Sequence, residues 1–178
     1  MSSVESPPEA TRRHVRFAVL TVSDTRTLET DRSGGLLVER LLAAGHALAD
    51  RDLLRDDAGA IREKVQEWLA SPDVDVILVT GGTGFTGRDV TVDVVKPLFD
   101  KEMVGFGELF RWLSFAEIGT STIQSRATGG LANGTLVFLL PGSTGACRLA
   151  WDQILVHQLD ASHRPCNLVD LMPRFGER

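Results

Sequence analysis

Long apolar runs are missing from this sequence: none approaches the roughly 20 residues needed to cross a bilayer, so a membrane-embedded protein is not expected. The opening MSSVESPPEATRRH lacks the apolar core of a signal peptide, and secretion is not expected either. Cysteine is scarce. Cys147 and Cys166 lie far apart and form no CxxC pair, which argues against a zinc site or a disulfide framework and for a reducing, cytoplasmic setting. Clustered positive charge is also missing: the net charge is −5, the 19 Lys and Arg are scattered, and Arg12-Arg13 is only a short patch. Nonspecific nucleic-acid binding therefore has no source of affinity, and an anionic ligand must be held locally by backbone N–H groups and a few cations. The histidines His14, His46, His157 and His163 are dispersed, with neither metal spacing nor an adjacent nucleophile, which leaves a hydrolase triad unsupported.

What remains is the composition of a folded domain: 178 residues, 43% hydrophobic and 24% charged, enough for one core and short for two. Residues 1–14 read as a disordered tail, 15–165 as a single α/β domain, and 166–178 as a C-terminal tail with little periodicity. Residues 15–22 form a nearly continuous apolar run, the pattern of a buried strand. A helix is expected from Ser33, with Leu36, Leu37, Leu41 and Leu42 as its stripe and Gly45 as its stop. A weaker strand over 47–54 follows, then a helix over about 58–71 with Ile61, Val65, Trp68 and Leu69 at helical spacing, then the clear strand VDVILVT over 74–80. This alternation predicts parallel strands joined by right-handed crossovers, with helices on both faces.

Residues 91–118 read as mostly helical, with Phe106, Leu109, Phe110 and Leu113 on one face. Asn133-Gly134 between a short strand and TLVFLL at 135–140 is a hairpin signal. Pro141-Gly142-Ser143 ends that strand and opens a last helix over roughly 143–158. Trp68, Trp112 and Trp151 fall in helical stretches and read as core or interface.

In an open α/β sheet, ligands bind beyond the carboxyl ends of the strands. Four such ends carry small or polar groups: Ser23-Asp24, Asp56-Asp57, Gly81-Gly82-Thr83-Gly84 and Pro141-Gly142-Ser143. Glycine admits φ > 0 and removes the Cβ atoms that would keep a phosphate away from the backbone. The same GGTG run could also be a plain tight turn; Arg88-Asp89, adding a cation and a carboxylate at once, favours a phosphate cradle. Residues 82–87 match GxGxxG, but they follow the third strand, whereas a dinucleotide fold carries that fingerprint after its first. Arg88-Asp89 stands where a P-loop requires Lys-Ser/Thr, so that motif fails too. Asp56 and Asp89 suit a hard Mg²⁺ beside a polyphosphate. Asp57 reads as a helix cap. Ser143 reads as a cap whose helix terminus could also take an anion. Ser125-Arg126 is either a phosphate clamp or a surface turn.

These residues resemble the MoaB/MogA family of molybdenum cofactor biosynthesis proteins, related to the pterin-binding G domain of gephyrin. The resemblance runs from about Arg16 to Pro165 and rests on TVSDTR at 21–26, VTGGTGFTGRDVT at 79–91, VGFGELFRWLSFAEIGTSTIQSRA at 104–127 and LPGSTGACRLAW at 140–151. The third and fourth segments are worded more like MoaB than MogA. The resemblance implies a three-layer α/β/α sandwich with a mostly parallel sheet and a short hairpin strand. It also implies binding of molybdopterin, a pterin with a dithiolene and a terminal phosphate. MogA-type members transfer AMP from Mg-ATP to that phosphate and release pyrophosphate, a reaction in which the substrate supplies the nucleophile. The family's nucleotide and pterin cradle falls on Gly81, Gly82, Thr83 and Gly84, its SR pair on Ser125 and Arg126, its PGS turn on Pro141, Gly142 and Ser143, and its SD pair on Asp24. Its Mg²⁺ or catalytic acids fall on Asp89 and, by an alignment with a one-residue gap nearby, on Asp56. In the MoaB branch two outcomes stand open. Retention of Arg88-Asp89-Val90-Thr91 and Asp56 leans towards an active molybdopterin adenylyltransferase; the alternative is a noncatalytic molybdopterin-binding or carrier protein. Family members are homo-oligomers, trimers or hexamers, so helix 103–116 and the C-terminal tail are interface candidates. Other proteins of the pathway are the expected partners.

Overall fold

The computed structural model describes residues 14–177; apart from His14, the expected N-terminal tail lies outside the described residues. In chain order the elements are β1 (Arg16–Val22), α1 (Arg32–Ala43), β2 (Ala47–Leu54), α2 (Ala58–Ala70), β3 (Val76–Thr80), α3 (Thr91–Val95), β4 (Lys101–Glu102), α4 (Val104–Ile118), β5 (Thr128–Ala132), β6 (Thr135–Leu140), α5 (Thr144–Ala150) and α6 (Val156–Gln158). A 3₁₀ stretch, Gly119–Gln124, follows α4, and another, Val169–Arg174, lies near the C-terminus. The expected helix over 143–158 is interrupted by a π-helical turn, Trp151–Leu155, between α5 and α6.

The strands are ordered β2-β1-β3-β6-β5-β4. β2, β1, β3 and β6 run parallel, and β5 is antiparallel to both neighbours. Two-residue alternation divides the core between the faces. Phe17, Val19, Val76, Leu78, Leu136 and Phe138 pack with Leu37 and Leu41 of α1, Phe106 and Phe110 of α4, and Trp151. Ala18, Leu20, Ile77, Val79, Val137 and Leu139 pack with Ile61, Val65 and Trp68 of α2 and with Val92 and Val95 of α3. The three-layer sandwich expected from the sequence is therefore the fold. The Asn133-Gly134 hairpin is present between β5 and β6, with φ of 47° and 78° at those residues, both in the region that a two-residue type I′ turn requires.

Four details refine the expectation. The stretch 91–118 is mostly helical as expected, but β4 interrupts it, a two-residue edge strand too short to carry any periodicity. Leu42 and Leu109 lie outside the buried stripes of their helices, at 52% and 41% exposure. Trp112 is 73% exposed, while Trp68 and Trp151 are buried. The segment from residue 166 is docked, since Val169 belongs to the first core and Leu168 packs on it. No helix among the described residues is long and apolar enough to cross a membrane.

Candidate functional site

Because β1, β2, β3 and β6 are parallel, their carboxyl ends share one edge. β5 runs the other way, so the Ser125-Arg126 segment that precedes it arrives at the same edge. Together with α4 they enclose a cavity of about 870 Å³, a size typical of sites for drug-sized ligands. Asp24, Asp56, Gly81, Gly82, Thr83, Gly84, Asp89, Ser125, Pro141, Gly142 and Ser143 all line it. Arg126 does not; it stands behind the wall.

The glycine loop is shaped by close approach. Gly81 has φ 102°, its N–H donates to Leu140 O at 3.0 Å, and a Cβ there would overlap the Val22 carbonyl oxygen. Gly82 has φ 65°, and its carbonyl accepts from Thr91 N–H at 3.0 Å. A Cβ on Gly82 would overlap the Thr91 hydroxyl and lie 3.0 Å from Asp56 Oδ1. That hydroxyl is fully buried and has no hydrogen-bond partner of its own. The PGS turn is fastened beside the loop: Thr80 Oγ1 donates to Pro141 O at 2.9 Å, and Ser33 Oγ donates to Gly142 O at 2.8 Å. Ser143 caps α5 by accepting from Ala146 N–H, and Asp57 caps α2 by accepting from Ala60 N–H, as expected of both.

One corner of the cavity is acidic. Asp56 N–H donates to Asp24 Oδ1 at 3.4 Å, and Asp24 pairs with Arg88. Burial, then the Asp24 and Asp89 carboxylates, push Asp56 above the ordinary carboxylate range, against a smaller pull from Arg88. Asp89 is shifted the other way. Its carboxylate accepts from the Thr86 hydroxyl at 2.6 Å and the Thr86 N–H at 2.8 Å, and these bonds, helped by the Gly84 N–H and Arg126, hold it below that range. Among the described residues no group of three or more Asp, Glu, His or Cys forms a metal cage. The donors here are nevertheless hard oxygens crowded by like charge. They fit Mg²⁺ in the shared mode, where carboxylates supply one or two ligands and phosphate and water the rest.

The remainder of the lining escaped the sequence reading as site residues. Arg26 and Arg32 supply cations, Thr21, Asp31, Ser33 and Thr144 supply polar groups, and Phe85, Phe110, Ser114 and Ile118 supply the apolar and small wall. Arg26 does fall inside the TVSDTR segment, a signal that was available; the α4 residues belong to an apolar stripe that reads only as core. No histidine lines the cavity. Cys147 is buried beside Thr80, its thiol pushed up to about 11 by burial, and it does not line the cavity.

The sequence and fold have clear relatives. The probable molybdopterin binding domain family matches residues 18–161. Molybdenum cofactor biosynthesis protein B of Escherichia coli K12 is 54% identical over 152 residues, covering 85% of this chain and 89% of the relative. The protein of that name from Bacillus cereus is 48% identical over 160 residues, covering 89% and 94%. Among solved structures, a molybdenum cofactor biosynthesis protein B superposes with a TM-score of 0.83 at 43% identity, over 93% of this chain and 98% of that one. The tungsten cofactor synthesizing protein MoaB from Pyrococcus furiosus superposes at 0.73 with 37% identity, over 80% and 91%.

Proposed function

This chain belongs to the molybdopterin-binding domain family of molybdenum cofactor biosynthesis proteins, and from that premise we propose that it adenylylates the terminal phosphate of molybdopterin with ATP. The observation that carries the reading is the joining of the Gly81–Gly84 cradle to the Asp24, Asp56 and Asp89 carboxylates in one cavity that no histidine or cysteine lines. In the proposed step an oxygen of the pterin phosphate attacks the α-phosphorus of ATP. A new P–O bond forms as the bond to the β-phosphate bridging oxygen breaks, and pyrophosphate leaves with that electron pair. Such in-line transfer needs position and charge neutralisation more than covalent help from the protein. Loop N–H groups other than those of Gly81 and Gly84, which serve Leu140 O and Asp89, orient the phosphates, Ser125 and the PGS turn border them, and Arg88 leaves Asp24 to meet developing negative charge. A Mg²⁺ held between Asp56, Asp89 and the phosphates would supply the remaining neutralisation.

The second reading, a noncatalytic molybdopterin binder or carrier, is favoured by the way Thr86 occupies one oxygen of the Asp89 carboxylate. Incubation with molybdopterin and Mg-ATP separates the two: pyrophosphate and an adenylylated pterin are expected, and the lack of both refutes the transferase. Asp89→Asn is expected to lower turnover about 100-fold or more, the usual scale for a key electrostatic group, with pterin affinity within about threefold. Unchanged turnover removes Asp89 from the chemistry. We propose further that second copies of the chain cover the exposed apolar face of α4, where Val104, Leu109, Trp112, Phe115 and Ile118 are 41–73% exposed, giving a trimer or hexamer.

A further inference from the structure

Arg126 has a side chain only 22% exposed, and its guanidinium turns away from the cavity it was expected to face. Nε donates to Gly84 O at 2.8 Å and one Nη donates to Asp89 O at 2.7 Å. The other Nη donates to both carboxylate oxygens of Asp93, at 2.9 and 3.1 Å. The Phe85 ring lies 5.6 Å from the guanidinium carbon. Gly84 and Asp89 are the two ends of the segment by which the chain leaves the glycine loop and returns with its acid. Arg126 therefore ties that segment at both feet.

A second arginine seats the first. Arg111 of α4 donates from Nη1 to Ser125 O at 3.3 Å and to Ala127 O at 2.9 Å, the carbonyls on either side of Arg126. The Thr122 hydroxyl in turn donates to Arg111 O at 3.1 Å. Between the tied feet, Phe85, Thr86, Gly87 and Arg88 are exposed. Apart from the Arg88 pair with Asp24 and the Thr86 bonds to Asp89, a segment so poor in buried contacts has little else to hold one conformation. A planar guanidinium with donors in fixed directions can bridge two carbonyls and a carboxylate at once, which a lysine ammonium on a flexible stem cannot.

We infer that Arg126 is a positioning residue rather than a phosphate ligand: seated by Arg111, it braces residues 84–89 and so sets the Asp89 carboxylate against the Gly81–Gly84 cradle. Its catalytic consequence rests on the adenylyl-transfer reading; its structural consequence does not. Bracing matters because a misplacement of about 1 Å can lower an enzymatic rate about 100-fold without touching the chemistry directly.

The test uses the full chain, ligand-free, with amide hydrogen exchange followed residue by residue. Arg126→Gln is expected to speed exchange across 84–89 by about 10-fold or more while β1, β3 and β6 keep wild-type protection. Arg126→Lys is expected to fall between, and Arg111→Gln to loosen both 125–127 and 84–89. In turnover assays the Arg126 variants should lower kcat by about 10-fold or more with KM for each substrate within about threefold, the split expected of an interaction realised in the transition state. Unchanged exchange over 84–89 in Arg126→Gln overturns the proposal, as does raised KM at constant kcat, the mark of a direct ligand contact. Should Arg126→Gln lose protection throughout the chain, Arg126→Lys decides alone, and wild-type exchange in it is refuting. A wild-type protein that forms no pyrophosphate would sink the transferase reading and leave the exchange result standing by itself.

Discussion

Substitution of Gly81 by alanine gives the most direct measure of how tightly the cradle is built. At φ 102° the backbone lies where a side chain is strained, at a cost of roughly 1–2 kcal/mol. The added Cβ would meet the Val22 carbonyl oxygen well inside the 3.0 Å that real Cβ atoms respect. That oxygen is backbone at the end of β1 and cannot rotate aside. Relief requires the ends of β1 and β3 to separate, which strains the Gly81 N–H bond to Leu140 O, itself worth about 1 kcal/mol. A total loss of roughly 3 kcal/mol follows, and at 2–4 °C per kcal/mol for a chain of this size Tm should fall by roughly 6–12 °C. Gly87→Ala is the matched control. Nothing lies within 4 Å of its Cβ and its φ is ordinary for any residue, so its effect should stay within about 0.5 kcal/mol. Thermal unfolding followed by far-UV circular dichroism on both variants tests the contrast, and titration with Mg-ATP should show binding weakened in Gly81→Ala alone. A Gly81→Ala protein melting within about 2 °C of wild type, inside the range of a neutral surface change, would refute the claim that close approach demands glycine there.

Asp56→Asn should abolish most turnover yet stabilise the ligand-free protein. Burial and neighbouring acids raise the folded-state value of Asp56 above its unfolded one. Its favourable contribution is thus present at acid pH and lost as pH rises through the raised value. The gain at pH 7 should read as a higher Tm; a lower one contradicts the crowding of the corner. His46, packed on Phe17 at 5.2 Å and on Trp151, is lowered by burial and then by His14, with Asp160 opposing. For this group stability is complete above its unfolded value near 6.5 and is lost as pH falls towards the lowered folded value. Urea midpoints at pH 5 and 7 should therefore differ less in His46→Phe than in wild type, and equal differences would remove His46 from the pH dependence. Trp112→Glu combined with Phe115→Glu places charge on the apolar face of α4, so sedimentation should show the wild-type assembly reduced to monomers; a monomeric wild type would dismiss that interface.

What the sequence disclosed follows the physics of signal strength. β1 and β3 were legible because a strand buried on both faces reads as an unbroken apolar run, and the β5–β6 hairpin because Asn133-Gly134 is demanded by two positive φ angles. β4 was not, since its two residues form a strand by pairing with Gly130 and Leu131, which no local pattern announces. Leu109 shows the limit of helical spacing: it sits on the apolar stripe of α4 with Phe106 and Phe110, yet it is 41% exposed because the next layer does not reach it. At the site, residues that end strands were found because topology alone brings them to one edge. Those contributed from a helix flank, such as Ser114 and Ile118, depend on how α4 lies across that edge. Arg126 was placed at the right loop but with the wrong facing, because direction is decided by which carbonyls Gly84 and Asp89 present to it.

The acidic corner and the brace belong to one physical problem. A chain that places Asp56 near Asp24 and Asp89 accepts like-charge repulsion in a half-buried wall, with Arg88 weakly opposing it. Repulsion of that kind acts on the 84–89 segment, since Asp89 is the acid at its end and the residues before it are exposed. The Thr86 bonds restrain the carboxylate, but they lie within the same segment and would travel with it. A restraint from outside is needed. Beside the Arg88 pair with Asp24, Arg126 is that restraint, anchored through Arg111 on α4 and bonded to the carbonyl of Asp89. It therefore resists the displacement by geometry, and its charge lowers Asp89 without occupying the cavity. A cation entering with phosphate would find the carboxylates already held at close range, so ordering the loop need not be drawn from the binding energy of the ligand.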